Sequence, residues 1–221
     1  QRDMCAAHTV LDLIKNIDPD FIAVNFLAVD AAGENHGPQS AEYRNILEEA
    51  DAHIQRIVET WEDRSRADIS FIVTADHGMH ALERMTDLPG ILSKNGIEAD
   101  VAPSHRSAHI YLENQAEIAK AREALAASGD FKSIYLKDEL APLKMDHPRS
   151  GDLFVVAAEG VEIQKPGLLG SHGSSEPEET RVPLILGGPF WSEAGAPKIT
   201  APTGGCEIVE VTSLITGLFG K

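Results

Sequence analysis

Carboxylates and imidazoles gather in three short polar stretches of this chain, each just after an apolar, strand-like run. The first runs from Asp30 to Ser40 and carries Glu34 and His36; the second is Thr74-Ala75-Asp76-His77-Gly78-Met79; the third is Gly170-Ser171-His172-Gly173. Asp and neutral His are ligands that suit zinc and its first-row neighbours. Open α/β sheets place their sites at the carboxyl ends of strands, so distant stretches of this kind can converge on metal ions. Asp76 and His77 are adjacent, and a sharp turn there aims both at one ion, with Gly78 letting the backbone leave at once. Alone, Asp76 reads equally well as a helix cap and His77 as a surface residue; the three stretches together favour a two-metal site. No stretch carries a convincing nucleophile. Thr9 sits in a helix-like segment, and Ser171, Ser174 and Ser175 read as shaping the loop around His172.

The elements that must position these residues are legible in outline. Phe21 to Val29 is continuously apolar and reads as a strand covered on both faces, as does Ile69 to Val73. Between them, Tyr43, Ile46, Leu47, Ala50, Ile54, Ile57, Val58 and Trp61 fall at helical spacing, predicting an amphipathic helix over Ala41 to Glu62 with Ser40 as its N-cap. Strand, helix and strand in that order imply a right-handed crossover in a parallel sheet. Val182 to Gly188 predicts a later strand, and Ile208 to Phe219 a closing helix stopped at Gly220. The middle has a finer grain. Strands at Ala108–Leu112, Ser133–Leu136 and Leu153–Ala157, with a helix over Gln115–Ala127, predict a small α+β insertion at 82–166 within a core of 1–81 and 167–221.

Composition excludes some functions. A formal net charge of -16 argues against a nucleic-acid polymer as partner, because backbone phosphates need clustered Lys and Arg. It leaves room for a small phosphorylated substrate, since bound metal ions supply local positive charge. No apolar run approaches the ~20 residues of a membrane helix. Cys5 and Cys206 lack Cys-x-x-Cys spacing and read as unpaired thiols, which favours a reducing, cytoplasmic setting for a soluble protein.

Thr-Ala-Asp-His-Gly-Met, preceded by an Asp-x-x-Gly…Gly-Pro-x-Ser stretch and followed by a late His-Gly, resembles the alkaline phosphatase superfamily. The branch it looks most like is the type I phosphodiesterase/nucleotide pyrophosphatase type, with phosphonoacetate hydrolase nearby. Arg149-Ser150-Gly151-Asp152 and Val182-Pro183-Leu184 look like that branch too. The resemblance implies an α/β three-layer sandwich with a mainly parallel sheet. It also implies two divalent ions, usually zinc, with Asp30, a residue near Gly33 and His172 at one ion, and Asp76 and His77 at the other. The implied activity is in-line phosphoryl transfer to a metal-activated hydroxyl. Two departures stand out. Aligning Gly33, Gly37, Pro38 and Ser40 puts Glu34 where the pattern has His. Glu34 then ligates directly and tilts the site toward manganese or magnesium, or the loop shifts and His36 reaches the ion, or the site is degenerate. Further, the family's nucleophile and one Asp ligand lie upstream of the first stretch, where this chain offers only Gln1 to Pro19.

The expectation is therefore a metal-dependent hydrolase of phosphodiesters or pyrophosphates, this chain being its C-terminal part and inactive alone, its exposed sheet edge pairing with the N-terminal half or a second copy. Alternatives are a phosphonate hydrolase and a non-catalytic metal-binding domain. His105, Arg106 and His109 are candidates for the substrate mouth, although scattered polar residues on an insertion are more often structural. Glu176, Glu178 and Glu179 read most simply as a solvated turn.

Overall fold

The computed structural model describes residues 2–65, 69–188 and 207–218. Cys206, Phe219 and Gly220, named above, lie outside them; Cys5 is exposed. The chain begins with α1 (Arg2–Asn16), α2 (Ala28–His36) and α3 (Ala41–Ser65). Next come β1 (Phe71–Thr74), β2 (His80–Ala81), β3 (Arg84–Met85), α4 (Leu88–Lys94), β4 (Ala99–Ser104) and β5 (Ser107–Leu112). Then follow α5 (Ile118–Ser128), β6 (Phe131–Leu136), β7 (Leu153–Ala157), β8 (Val161–Glu162) and β9 (Gly170–Ser171). The last are α6 (Pro177–Thr180), β10 (Leu184–Gly187) and α7 (Val211–Leu218). The mixed α/β composition expected from the sequence is what forms.

Two compact units result. The first comprises Gln1–Ala28, Ile46–Asp76 and Val182–Lys221; the second comprises Val29–Asn45 and His77–Arg181. In the first unit, α1 buries Ala7, Val10, Leu11 and Ile14, an i, i+3, i+4, i+7 stripe, against Ile57 and Trp61. Burying a side chain such as Ile14 contributes about 1.5–3 kcal/mol.

The expected strand from Phe21 to Val29 does not form. The Asp3 carboxylate accepts hydrogen bonds from the Leu27 and Ala28 amides, both at 2.9 Å, just where α2 begins. Those amides are the orphan donors of a helix N-terminus, so the carboxylate both satisfies them and favours helix over strand. Only Ile22 and Phe26 of this run reach the α1 cluster; Phe21, Val24 and Leu27 remain 51%, 41% and 49% exposed. Without that strand the predicted strand–helix–strand crossover is missing. β1 pairs instead with β10, and antiparallel, Phe71 opposite Gly187. Among the described residues β3 with β8 is the one parallel pair, which corrects the expectation of a mainly parallel sheet.

Within the second unit, Gly37 ends α2 at φ 82°, the left-handed geometry glycine adopts without strain. Ser40 then caps α3 as predicted, its Oγ accepting from the Tyr43 amide at 3.0 Å. β4, β5, β7 and β6 form, in that order, a four-stranded antiparallel sheet. β7 is buried along its whole length because alternate residues face two clusters. Leu153, Val155 and Ala157 pack with Leu88, Leu92, Ala121 and Leu125 of α4 and α5, while Phe154 and Val156 pack with Leu140. The strands expected in this middle region are present, β5 and β6 slightly longer than expected and β7 as expected, and the expected helix is shorter, at Ile118–Ser128.

His109, on β5, has its proton affinity lowered by burial. Its Nδ1 accepts from the Gly151 amide at 3.2 Å, which only the neutral ring can do. The unfolded chain therefore binds the proton more readily than the folded one. Stability should be full above the unfolded value near 6.5 and fall as the pH drops below it. Urea midpoints measured between about pH 5 and 8 should show this slope, and His109→Gln should flatten it; an unchanged slope in that variant would rule out His109 as its source.

Candidate metal centre

Asp30 and Glu34 stand one turn apart on α2 and so share a face. His77 lies three residues before β2, and His172 immediately follows β9. β2 and β9 pair antiparallel, with His80 opposite Ser171, so one short ladder brings the second and third polar stretches together. Gly78 is needed for packing rather than for its conformation. A Cβ there would collide with the Glu178 carbonyl oxygen, and its amide donates to the Glu179 carbonyl at 2.8 Å. The sharp departure of the chain expected at Gly78 is instead a close approach to the loop after His172.

Two groups of ligand atoms result: Asp30, His77 and His172 form one, Glu34, His105 and His172 the other, each with its donor atoms within 4.8 Å of one another. The His77 and His172 rings stack at 3.6 Å and 11°, and His105 lies against the other imidazole at 4.3 Å. His77 Nδ1 is 2.9 Å from the Gly78 carbonyl oxygen. A carbonyl only accepts, so the network assigns the proton to Nδ1 and the lone pair to Nε2. Burial pushes His172 below the usual imidazole range, helped by His77 and His105 and opposed by Asp30 and Glu34. A neutral imidazole is the form that ligates metal.

The carboxylates complete the case for a cation. Asp30 Oδ1 is buried without a hydrogen-bond partner, and its distance of 3.7 Å to His172 Nε2 is too long for a hydrogen bond. The Asp30 side chain is 43% exposed as a whole, so solvent reaches its other oxygen while Oδ1 faces the imidazoles, and a divalent ion between them would give Oδ1 a partner. The donor set of carboxylate and two imidazoles fits such an ion. Glu34 Oε1 faces His105 Nε2 at 3.7 Å, while Oε2 faces Lys165 Nζ at 3.4 Å.

Of the sequence-predicted ligands, Asp30, His77 and His172 are brought together, and Glu34 is brought to His172 with His105. His36 ends α2 exposed, and Asp76 is exposed in the first unit; neither belongs to either group. His105, in sequence a candidate for the substrate mouth, lies instead beside Glu34 and His172. Arg106, considered for the same role, is fully buried and ion-paired with Glu179, which is itself 2% exposed and no part of a solvated turn.

The mixed helices and sheets, compared with solved structures, place this chain among alkaline-phosphatase-like folds. It belongs to the type I phosphodiesterase/nucleotide pyrophosphatase family, whose profile matches residues 3–175. Among solved structures it is similar to murine ectonucleotide pyrophosphatase/phosphodiesterase 5, an inactive form in complex with AMP, at TM-score 0.65 and 21% identity over 81% of this chain and 50% of that one. It is likewise similar to the human protein of that name, at TM-score 0.63 and 19% identity over 81% and 50%. Phosphonoacetate hydrolase from Sinorhizobium meliloti, in complex with phosphonoformate, matches at TM-score 0.63 and 17% identity over 82% and 49%. The chain thus spans about half the length of these structures. No curated protein matches it. Among the described residues no helix is long and apolar enough to cross a membrane.

Proposed function

We propose that this chain carries the metal-binding part of a phosphodiester or pyrophosphate hydrolase. The observation that carries the reading is the convergence of Asp30, His77 and His172 around a buried carboxylate oxygen with no hydrogen-bond partner, in a member of this family. Divalent ions, when bound, supply the positive charge that orients phosphoryl oxygens and lowers the pKa of a hydroxyl or water. The chain's own residues prepare for this. His77 is fixed in one tautomer by the Gly78 carbonyl, His172 is kept neutral by burial, and Asp30 presents its charge toward the stacked rings. The ligand set supports zinc, and Glu34 extends the preference toward manganese or magnesium. The nucleophile, in this reading, comes from a segment other than the three polar stretches.

The test is made on the longest natural polypeptide containing this sequence, with bis(p-nitrophenyl) phosphate, a dinucleoside pyrophosphate and phosphonoacetate as substrates. Nitrophenolate release should require added zinc or manganese and stop on chelation, while the chain alone binds metal without turnover. Turnover indifferent to chelation would overturn the proposal. So would bound metal without turnover of either phosphate ester, which with phosphonoacetate cleavage would mark a phosphonate hydrolase and without it a non-catalytic domain.

A further inference from the structure

We infer that Lys165 is a substrate-binding residue of this centre, and that its ammonium takes a second anionic group of the substrate, a phosphate or carboxylate beside the phosphoryl group that reacts. The inference rests on the hydrolase reading above and narrows its substrate class to molecules carrying two adjacent anionic groups. Lys165 Nζ stands 3.4 Å from Glu34 Oε2, and the Glu34 donor atom lies within 4.8 Å of those of His105 and His172. The ammonium therefore borders the centre without being able to ligate. Its contact is loose, since charge-assisted N–H···O bonds run at about 2.7–2.9 Å. The Lys165 side chain is 57% exposed, whereas that of Glu34 is 13% exposed. An ammonium has three donors, and among the described residues Glu34 is its one partner, so two donors remain for a ligand.

The backbone under this lysine belongs to a segment pinned at both ends. At its start, Glu162 is 1% exposed, and its Oε1 accepts the Gln164 and Lys165 amides at 2.9 and 3.2 Å. The other oxygen of Glu162 is buried with no hydrogen-bond partner. Burying a carboxylate oxygen in that way costs stability, and such departures from polar satisfaction concentrate at functional sites. At the far end, the Leu169 amide donates to the Glu34 carbonyl at 2.8 Å, and a Cβ at Gly170 would strike the Gly33 carbonyl oxygen. The segment thus runs against α2, with the lysine fixed at its base and its flexible stem free to carry the head between Glu34 and a ligand. Neutralising Glu34 does not account for this anchoring, because an exposed ion pair contributes little to stability. The electrostatics favour a substrate role. The chain has a formal net charge of -16, and Asp30 and Glu34 bring two carboxylates to the centre itself, so an anionic substrate meets repulsion there. A metal centre compensates the reacting phosphoryl group; a second anionic group needs a further cation, and a lysine supplies it as a compact point charge.

The test uses the longest natural polypeptide containing this sequence, metal-loaded, with the variants Lys165→Gln and Lys165→Arg. Each is assayed on bis(p-nitrophenyl) phosphate, which carries a single charge, and on a dinucleoside pyrophosphate and phosphonoacetate, which carry two anionic groups. In Lys165→Gln the ratio of kcat/KM for doubly over singly charged substrate should fall about 10- to 100-fold, chiefly through KM, the size expected for one lost hydrogen bond to a charged group. Lys165→Arg should recover most of that ratio. A fall confined to the pyrophosphate identifies phosphate as the bound group, and one confined to phosphonoacetate identifies carboxylate. Calorimetric titration of the metal-loaded chain alone with the affected compound should show the same loss of affinity. An unchanged ratio in Lys165→Gln, or a loss traced to lower metal content, would overturn the role of Lys165 and leave the hydrolase reading standing. So would an unsubstituted enzyme that turns over the singly charged ester alone. No turnover of any of these substrates by the unsubstituted polypeptide would overturn both.

Discussion

His172→Ala is expected to abolish metal uptake almost entirely, since His172 alone belongs to both groups of ligand atoms. Substitution of any other member disturbs one group; this one removes the imidazole common to both and the stacking partner of His77 and His105. The most sensitive readout is thermodynamic linkage. An ion that binds only the folded state adds about 2.7 kcal/mol of stability at a concentration one hundred times its Kd. Zinc or manganese should therefore raise the melting temperature of the unsubstituted protein and leave His172→Ala unmoved. The metal-free variant should lose little stability, because His172 is neutral and accepts its place by stacking rather than by ion pairing. Metal dependence of melting that survives in His172→Ala would sink the assignment of the centre.

Arg106→Met is expected to have the largest effect on folding itself, about 3–5 kcal/mol. The guanidinium is fully buried and each of its three nitrogens donates a hydrogen bond. Nε donates to the Val161 carbonyl at 3.1 Å, one terminal nitrogen to the Ala158 carbonyl at 2.9 Å, and the other pairs with Glu179. Glu179 in turn accepts the Ser174 amide and hydroxyl, at 2.7 and 2.6 Å, so one pair ties the β4–β5 turn, the β7–β8 turn and the loop after His172. Methionine fills much of the volume but strands the carboxylate in the interior. The double variant Arg106→Met, Glu179→Gln removes that stranded charge and should recover a substantial part of the loss. Arg106→Lys should not rescue, because an ammonium cannot reproduce the planar fork. Urea unfolding of the single and double variants forms the required cycle; a cost below ~1 kcal/mol for Arg106→Met would show that the pair is not needed.

The three polar stretches were visible in the sequence because they break apolar runs with residue types that few structural roles require. The helices and the strands of the second unit were visible through their periodicity and through the Ser40 cap. Phe21 to Val29 misled for a physical reason. An apolar run is equally consistent with a buried strand and with extended chain, and the deciding interaction is the Asp3 carboxylate far upstream. The direction of pairing of β1 failed for the same reason, since it had been inferred from that missing strand. The approach of His105 to Glu34 and His172 could not be read from the sequence because the three meet only through the fold. A signal existed in Ser104-His105-Arg106-Ser107, a two-residue turn without the usual glycine or asparagine. It was hidden because β4 carries Pro103, which is tolerated on an edge strand but argues against a strand when read alone. Arg106 and Glu179 look like surface charges in sequence, and only their pairing explains their burial.

The order in which these ligands occur along the chain sets the order of maturation. Asp30 and Glu34 leave the ribosome roughly 140 residues ahead of His172, which at ~5–20 residues per second is an interval of about 7–30 s. Throughout that time α2 presents its carboxylates without the imidazole that both groups share. On the proposed reading, a nascent chain holds an ion there only loosely, and the full set of donors is assembled only once the loop carrying His172 has docked.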